Sequence, residues 1–262
     1  MKLEDEILAL YDDAQLYDDQ NADVTEDLEF WAEIAQRYSK PPLPIIELGA
    51  GTGRVSLSLA DLGYPVQGID LSNDMLNLAR KKAADMTPAD HGSLEFVLGD
   101  VRTYQPKTKV PLVLFPYNSL SHLVTNEDLD RCLQNVHSML ESGGRFVFSV
   151  FVPLPHFLVR DPEALFPVGT FRDSFSGKII DVFESMNYNK WTQVNAITWY
   201  FFREGSDEPH VRTLSLRMFY PQDIEYLLKV NGFTLEQRFG DFDFSLPDAD
   251  SVVQAIIAQR NE

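Results

Sequence analysis

Three glycines alternate within Glu47-Leu48-Gly49-Ala50-Gly51-Thr52-Gly53-Arg54. Ile45-Ile46 leads in after Pro41, Pro42 and Pro44, and Val55-Ser56-Leu57-Ser58-Leu59-Ala60 leads out. The order reads as buried strand, tight turn, helix. Glycine lets such a turn bend sharply and brings backbone N–H groups close to a ligand. The helix that follows offers unpaired N–H groups and the positive end of its dipole. A turn that merely needs glycine is the plainer explanation, but the strict alternation favours a ligand loop.

Further reactive residue types stand at the ends of the next apolar runs. Val66-Gln67-Gly68-Ile69-Asp70-Leu71-Ser72 is a short strand closing on an acid. An acid about twenty residues past a glycine loop can accept hydrogen bonds from both hydroxyls of a ribose. Leu94–Val101 is a second such strand, ending in Gly99-Asp100. Val110–Phe115 is a buried strand that delivers Pro116-Tyr117-Asn118-Ser119-Leu120-Ser121-His122 at its C-terminal end, the edge where open α/β sheets hold ligands. His122 suits a general base or a clamp on an acceptor, and equally a structural hydrogen-bonder.

The elements that must position these groups alternate. Ser72 caps a helix from Asn73 to about Met86, with Met75, Leu76 and Ala79 inward. Leu129–Leu140 is an amphipathic helix carrying Cys132, which Glu141-Ser142-Gly143-Gly144 should stop before the strand Arg145–Phe151. Pro221 starts a last helix, which stops at Asn231-Gly232 and leads to strands Phe233–Phe239 and Val252–Arg260. Between lie alternating aromatic runs, Thr170–Phe175, Ile179–Asn187, Trp191–Arg203 and Val211–Phe219, separated by turn signals and preceded by prolines. They read as an antiparallel block inserted in an α/β chain. Residues 3–38 look helical in two segments, with Thr25, Glu26 and Asp27 near the entry to the second. Alternation, loop and acid together argue a doubly wound sheet.

The stretch E-L-G-A-G-T-G-R resembles the first motif of class I S-adenosylmethionine-dependent methyltransferases, and the later strand ends follow where that family has them. The resemblance implies a seven-stranded, mostly parallel, Rossmann-like sheet whose last strand is antiparallel, with an N-terminal helical lid. It implies a catalytic domain over residues 41–152 and 221–262, a lid over 1–40 and an acceptor-covering insert over 153–220. It implies that Glu47, Gly49, Ala50, Gly51, Thr52, Gly53 and Arg54 cradle the methionine part of S-adenosyl-L-methionine. Asp70 and Leu71 would hold the ribose, Met75 would lie by the adenine, and Asp100 and Val101 would read the adenine ring. Phe115, Tyr117 and Asn118 would line the reaction site with His122. In the lid, Tyr11, Tyr17 and Trp31 would touch cofactor or acceptor. The chain departs from dinucleotide loops at Arg54, where a third glycine would stand. It lacks the N/D-P-P-Y motif of nucleic-acid amino methylases, reading Phe-Pro-Tyr-Asn, and has Val110-Pro111 where an acid is common.

The chain carries 40 Asp and Glu against 22 Lys and Arg, a formal charge of −18. Such a surface repels phosphate backbones and anionic membranes, so neither nucleic acid nor membrane is the expected partner. The one cysteine excludes an internal disulfide and a cysteine-based zinc cluster. No apolar run has transmembrane length, the N-terminus is acidic, and cytoplasmic location is the default expectation. No metal-ligand spacing stands out. The expected reaction is methyl transfer to the nitrogen or oxygen of a small molecule. The alternatives are a non-catalytic cofactor-binding scaffold, a tRNA-modifying methyltransferase and a nicotinamide oxidoreductase, and a homodimer sheet is the alternative use of the inserted block.

Overall fold

The computed structural model describes residues 3–86 and 92–262, with side chains from Ile7 onward. Strands β1 (Ile45–Leu48), β2 (Val66–Asp70), β3 (Leu94–Leu98), β4 (Val110–Phe115) and β5 (Leu140–Phe151) are parallel. Strand β11 (Val253–Arg260) runs antiparallel to β5 and to β10 (Phe233–Phe239). The sheet order is β10-β11-β5-β4-β1-β2-β3. The chain leaves β1 towards β2 and β3, then returns to lay β4 on the other side. That reversal opens a crevice above the C-terminal ends of β1 and β4, where doubly wound sheets bind ligands.

Both faces of this sheet are covered. Helix α6 (Asn126–Met139) and α8 (Pro221–Val230) bury Leu129, Leu133, Val136, Ile224 and Leu228 against Ile46, Leu48, Val113, Phe146 and Phe148. Helices α3 (Leu28–Tyr38) and α4 (Arg54–Asp61) bury Phe30, Trp31, Ile34, Val55 and Leu59 against Ile45, Leu112, Leu114, Val147 and Ile257. Alternate residues of one strand therefore feed opposite cores, as the two-residue period of a strand requires. Helix α5 (Asn73–Ala84) completes the layer over β2 and β3. Among the described residues no helix is long and apolar enough to cross a membrane.

A second, antiparallel sheet holds β6 (Phe166–Arg172), β7 (Ile179–Asn189), β8 (Val194–Arg203) and β9 (His210–Arg217) in sequence order, with α7 (Pro155–Leu158) before it. Helices α1 (Leu3–Leu10) and α2 (Ala14–Gln20) pack on β9 and β6. Leu10 joins Ile197, Leu214, Leu216 and Met218, while Leu16 joins Ile180, Val182 and Phe201. The N-terminal segment is thus held between the inserted sheet and the crevice.

Local boundaries differ from the sequence expectation where side chains outcompete propensity. Helix α6 starts at Asn126, because Thr125 Oγ1 accepts the Asp128 N–H, and it ends at Leu140 in extended conformation rather than at the glycines. Strand β5 runs through Glu141–Gly144, with Gly143 at φ +72° beside a register shift. Trp191 lies in the turn before β8, and Pro167 sits in the edge strand β6. Of the entry residues Thr25, Glu26 and Asp27, it is Asp27 that directly precedes α3. Its carboxylate is 1% exposed, accepts the Trp31 indole N–H at 2.8 Å and pairs with both terminal nitrogens of Arg54. This ties α3 to α4 through a charge that water cannot reach. Asp27→Ala should cost about 3 kcal/mol by stranding Arg54, roughly 6–12 °C in Tm for a chain of this size, measured by calorimetric melting.

Candidate functional site

At the top of β1 the chain turns through Gly49 (φ +63°), Gly51 (φ +55°) and Gly53 (φ +85°) into α4. Only glycine adopts this left-handed backbone freely. Gly49 also has no room for a side chain, since a Cβ there would lie 2.9 Å from the Ser119 Cβ. The loop is fixed by its neighbour strand. Ala50 N–H donates to the Ile69 carbonyl at 3.0 Å and Gly51 N–H to Asp70 Oδ2 at 2.8 Å. Asp70 Oδ1 accepts the Ser72 N–H at 2.8 Å. Burial raises the Asp70 pKa, and these backbone donors oppose that shift. Each oxygen keeps a lone pair for a ligand hydroxyl.

Above this floor lies a cavity of about 100 Å3. Gly49, Gly51, Asp70, Leu71, Met75, Asp100, Val101, Phe115, Tyr17 and His122 all line it, which brings most of the sequence candidates to one place. A second lobe of about 50 Å3 shares Tyr17, Gly49, Gly51 and Ser119, and adds Glu47, Ala50, Thr52, Arg54 and Tyr117. Gly53 lies beneath the loop, where a Cβ would meet Phe96 at 2.8 Å. The Tyr11 hydroxyl meets His122 Nε2 at 2.9 Å over the cavity. Burial lowers His122 to a pKa of about 4, so the ring is neutral at neutral pH. Burial likewise raises Tyr11 and Tyr17, which stay protonated. Both lobes are smaller than the 300 Å3 or more that ligand pockets hold. The N-terminal segment fills the difference.

That segment is fastened by polar links. Thr52 Oγ1 and Lys82 Nζ both donate to Asp18 Oδ1, at 2.6 and 2.7 Å. The Tyr117 hydroxyl donates to Asn21 Oδ1 at 2.7 Å. Arg54, expected in the cofactor loop, points instead to Asp27 and the Val24 carbonyl, with its guanidinium 5.3 Å from the Tyr117 ring. Burial alone would lower the Arg54 pKa, but Asp27 outweighs it and raises it.

Two expectations need correction, and a third site residue gains an unforeseen partner. Trp31 is fully buried under the sheet, edge-on to Phe30, and lines neither lobe. Asn118 (φ +60°) turns away from both lobes, its Oδ1 accepting the Phe151 N–H at 2.6 Å. It anchors the β4 end to β5 rather than facing a reaction site. Asp100 lines the cavity but is held by Arg102, which also bonds Asp128. Burial opposes the charged form of Asp100, yet the Arg102 hydrogen bonds win and keep its pKa low. Sequence reasoning missed Ile7, Ser119, Leu123 and Arg102 in the cavity wall, and Asp18 in the segment over it. Ser119 alone carried a signal, in the polar run after β4.

The cavity wall offers carboxylates and a neutral imidazole, while the Gly51 and Gly53 N–H groups are spent on Asp70 and the Ala50 carbonyl. Its arginines are engaged by Asp27, Asp100 and Asp128. This suits a ligand rich in hydroxyls and positive charge better than a pyrophosphate.

A family model for a methyltransferase domain matches residues 45–144. A Bacillus subtilis (strain 168) protein, YqeM, whose name carries a provisional methyltransferase assignment, is 29% identical over 83% of this chain and 84% of its own. The dTDP-3-amino-3,6-dideoxy-alpha-D-glucopyranose N,N-dimethyltransferase of Streptomyces fradiae is 28% identical over 49% of this chain and 47% of its own. The solved CcbJ methyltransferase of Streptomyces caelestis shares the fold at a TM-score of 0.79, covering 100% of this chain and 99% of that one, with 24% identity.

Glu47 has a measurable consequence of its own. It is 2% exposed and accepts a short hydrogen bond from Ser56. Burial lifts its pKa to about 8, although Ser56 and Arg54 oppose the shift. The folded state therefore binds more protons than the unfolded chain between its ordinary value of 4.5 and about 8. Stability of the ligand-free chain should fall as pH rises across that window, by at most about 1.4 kcal/mol per pH unit. Denaturant titrations should show this slope flattened in Glu47→Gln.

Proposed function

From a chain that is a class I S-adenosylmethionine-dependent methyltransferase, we propose that it methylates an amine nitrogen of a small-molecule acceptor of the amino-sugar kind. The observation that carries the nitrogen is the base on offer: a half-buried His122 in the cavity wall, tied to the Tyr11 hydroxyl and neutral, its pKa lowered to about 4. A hydroxyl near the pKa of water, about 15.7, would have to lose a proton uphill by about 12 units, or about 16 kcal/mol, to such a base. An amine arrives with its lone pair already free once deprotonated. The amino-sugar relative supports the acceptor class, and the acidic surface suits a cationic amine in solution.

S-adenosyl-L-methionine supplies a methyl on a positively charged sulfur, and the transfer neutralises that charge. In this reading Gly49, Ala50, Gly51, Thr52 and Gly53 hold its methionine part, and Glu47 sits by the ammonium. Asp70, with Leu71, accepts the ribose hydroxyls through its spare lone pairs. Met75, Val101 and Phe115 flank the adenine, and Asp100, oriented by Arg102, accepts from its amino group. Residues 1–40 serve as the lid, with Tyr17 against the cofactor and residues 153–220 behind it.

The residues of the chain do the aligning. The His122 imidazole accepts a hydrogen bond from the acceptor N–H and aims the nitrogen lone pair, while Tyr11 fixes the ring. Tyr117 closes the opposite side. With the cofactor bound, the forming N–C bond would return the C–S electron pair to sulfur, and the alkylammonium would lose its proton to water. Alignment of this kind supplies about 7–11 kcal/mol in favourable cases.

The test is release of S-adenosylhomocysteine from a panel of amino sugars and their hydroxyl congeners, followed against pH. Turnover should occur with amines only, with kcat/KM rising to the acceptor amine's own pKa. Turnover with the hydroxyl series, or an inflection near pH 6.5 that vanishes in His122→Asn, would contradict the amine assignment.

A further inference from the structure

Away from the glycine loop, an open groove of about 920 Å3 lies where the turn between β7 and β8 meets α7. None of its lining residues is acidic, although the chain carries 40 Asp and Glu. Its charged group is Lys190, whose ammonium stands 5.7 Å from the Trp191 ring centroid. Trp191 is 87% exposed, although burying an indole is among the most favourable transfers a side chain offers.

The turn presents this ring at a fixed place. Asn189 Oδ1 accepts the N–H groups of Trp191 and Thr192, at 2.9 and 3.4 Å. The next residue, Gln193, has φ +58°, binds Asp223 through its amide at 3.1 Å and accepts the Met218 N–H at 2.8 Å. The groove also adjoins the apolar cluster behind the methyl-transfer site. Leu158 and Tyr188 line it and pack on Leu10, Ile197, Leu214, Leu216 and Met218. Tyr11, the partner of His122, packs on that same cluster.

We propose that this groove binds a neutral pyranose ring of the acceptor molecule. One apolar face of the ring stacks on Trp191, and its hydroxyls bind the Asn187 amide and the NH2 of Asn189. A cationic occupant would meet Lys190 and find no carboxylate, so the reactive amine lies on another part of the acceptor. A neutral, hydroxylated ring matches an aromatic platform flanked by amides. The name of the acceptor, though not the groove, rests on the amine reading above.

The chain has three tryptophans, so its indole N–H groups give three NMR signals, and Trp191→Phe identifies one of them. The probes are the p-nitrophenyl β-glucopyranoside, β-galactopyranoside and α-mannopyranoside, none of which carries an amine. With at least one probe at millimolar concentration the Trp191 signal should shift saturably, while those of Trp31 and Trp199 stay. With the amino pyranoside that turns over best, Trp191→Ala should raise KM about tenfold with kcat within twofold, and Trp191→Phe should restore most of the loss. A Trp191 signal unmoved by every probe overturns the inference, as does an unchanged KM in Trp191→Ala. So does a shift that follows protein concentration with a doubled mass by light scattering, which would make a second copy the occupant. If the pyranosides shift Trp191 but no amine is methylated, the amine reading falls and the groove stands.

Discussion

The hydrogen bond from Gly51 N–H to the Asp70 carboxylate is the contact on which the site depends. It joins the loop after β1 to the end of β2, beside the crevice between β1 and β4 where the sheet reverses its winding. With Ser72 N–H on the other oxygen, it holds a half-buried carboxylate in place before any ligand arrives. Glycine at positions 49, 51 and 53 permits the backbone to reach that charge. The apolar faces of α4 and α5 hold the two strand ends at the spacing the contact needs. Everything the crevice can recognise is arranged around this fixed carboxylate.

A second set of contacts governs the roof. The N-terminal segment contributes Tyr11, Tyr17 and Ile7 to the cavity, and it is attached by Asp18, Asn21 and Asp27 to groups of the catalytic layer. Most of these links are partly exposed hydrogen bonds, each worth about 1 kcal/mol. The Asp27 pair is buried and much stronger. The segment is thus anchored at its α3 end and more weakly fastened over the cavity. Two acids of this segment, Asp18 and Asp27, serve this fastening.

Much of this was legible because it is local. The glycine loop, the acids ending β2 and β3, and the polar run after β4 are each set by a few neighbouring residues, and sheet topology then brings them together. What escaped was set at long range. Nothing near Arg54 announces a partner at Asp27, so its place in the loop suggested ligand contact. Trp31 lies on a helix whose apolar stripe fits either a core or a site, and only packing against Phe30 and Val55 decides. Asn118 looked reactive because amides follow this strand in related enzymes. Its left-handed backbone instead aims the side chain at Phe151. The glycines at 143 and 144 looked like a helix stop, but the helix had already ended at Leu140, and strand pairing absorbed them.

The central claim is that the Asp70-anchored glycine loop binds the cofactor through its ribose. Isothermal titration of the full chain with S-adenosylhomocysteine, freed of any co-purified ligand, tests it most directly. The account predicts binding by the wild-type chain and a loss of about 100-fold or more in Asp70→Ala, as expected for losing hydrogen bonds to a charged group. Equal affinity in the two proteins, with Asp70→Ala folded by circular dichroism, would place the cofactor elsewhere and contradict the account.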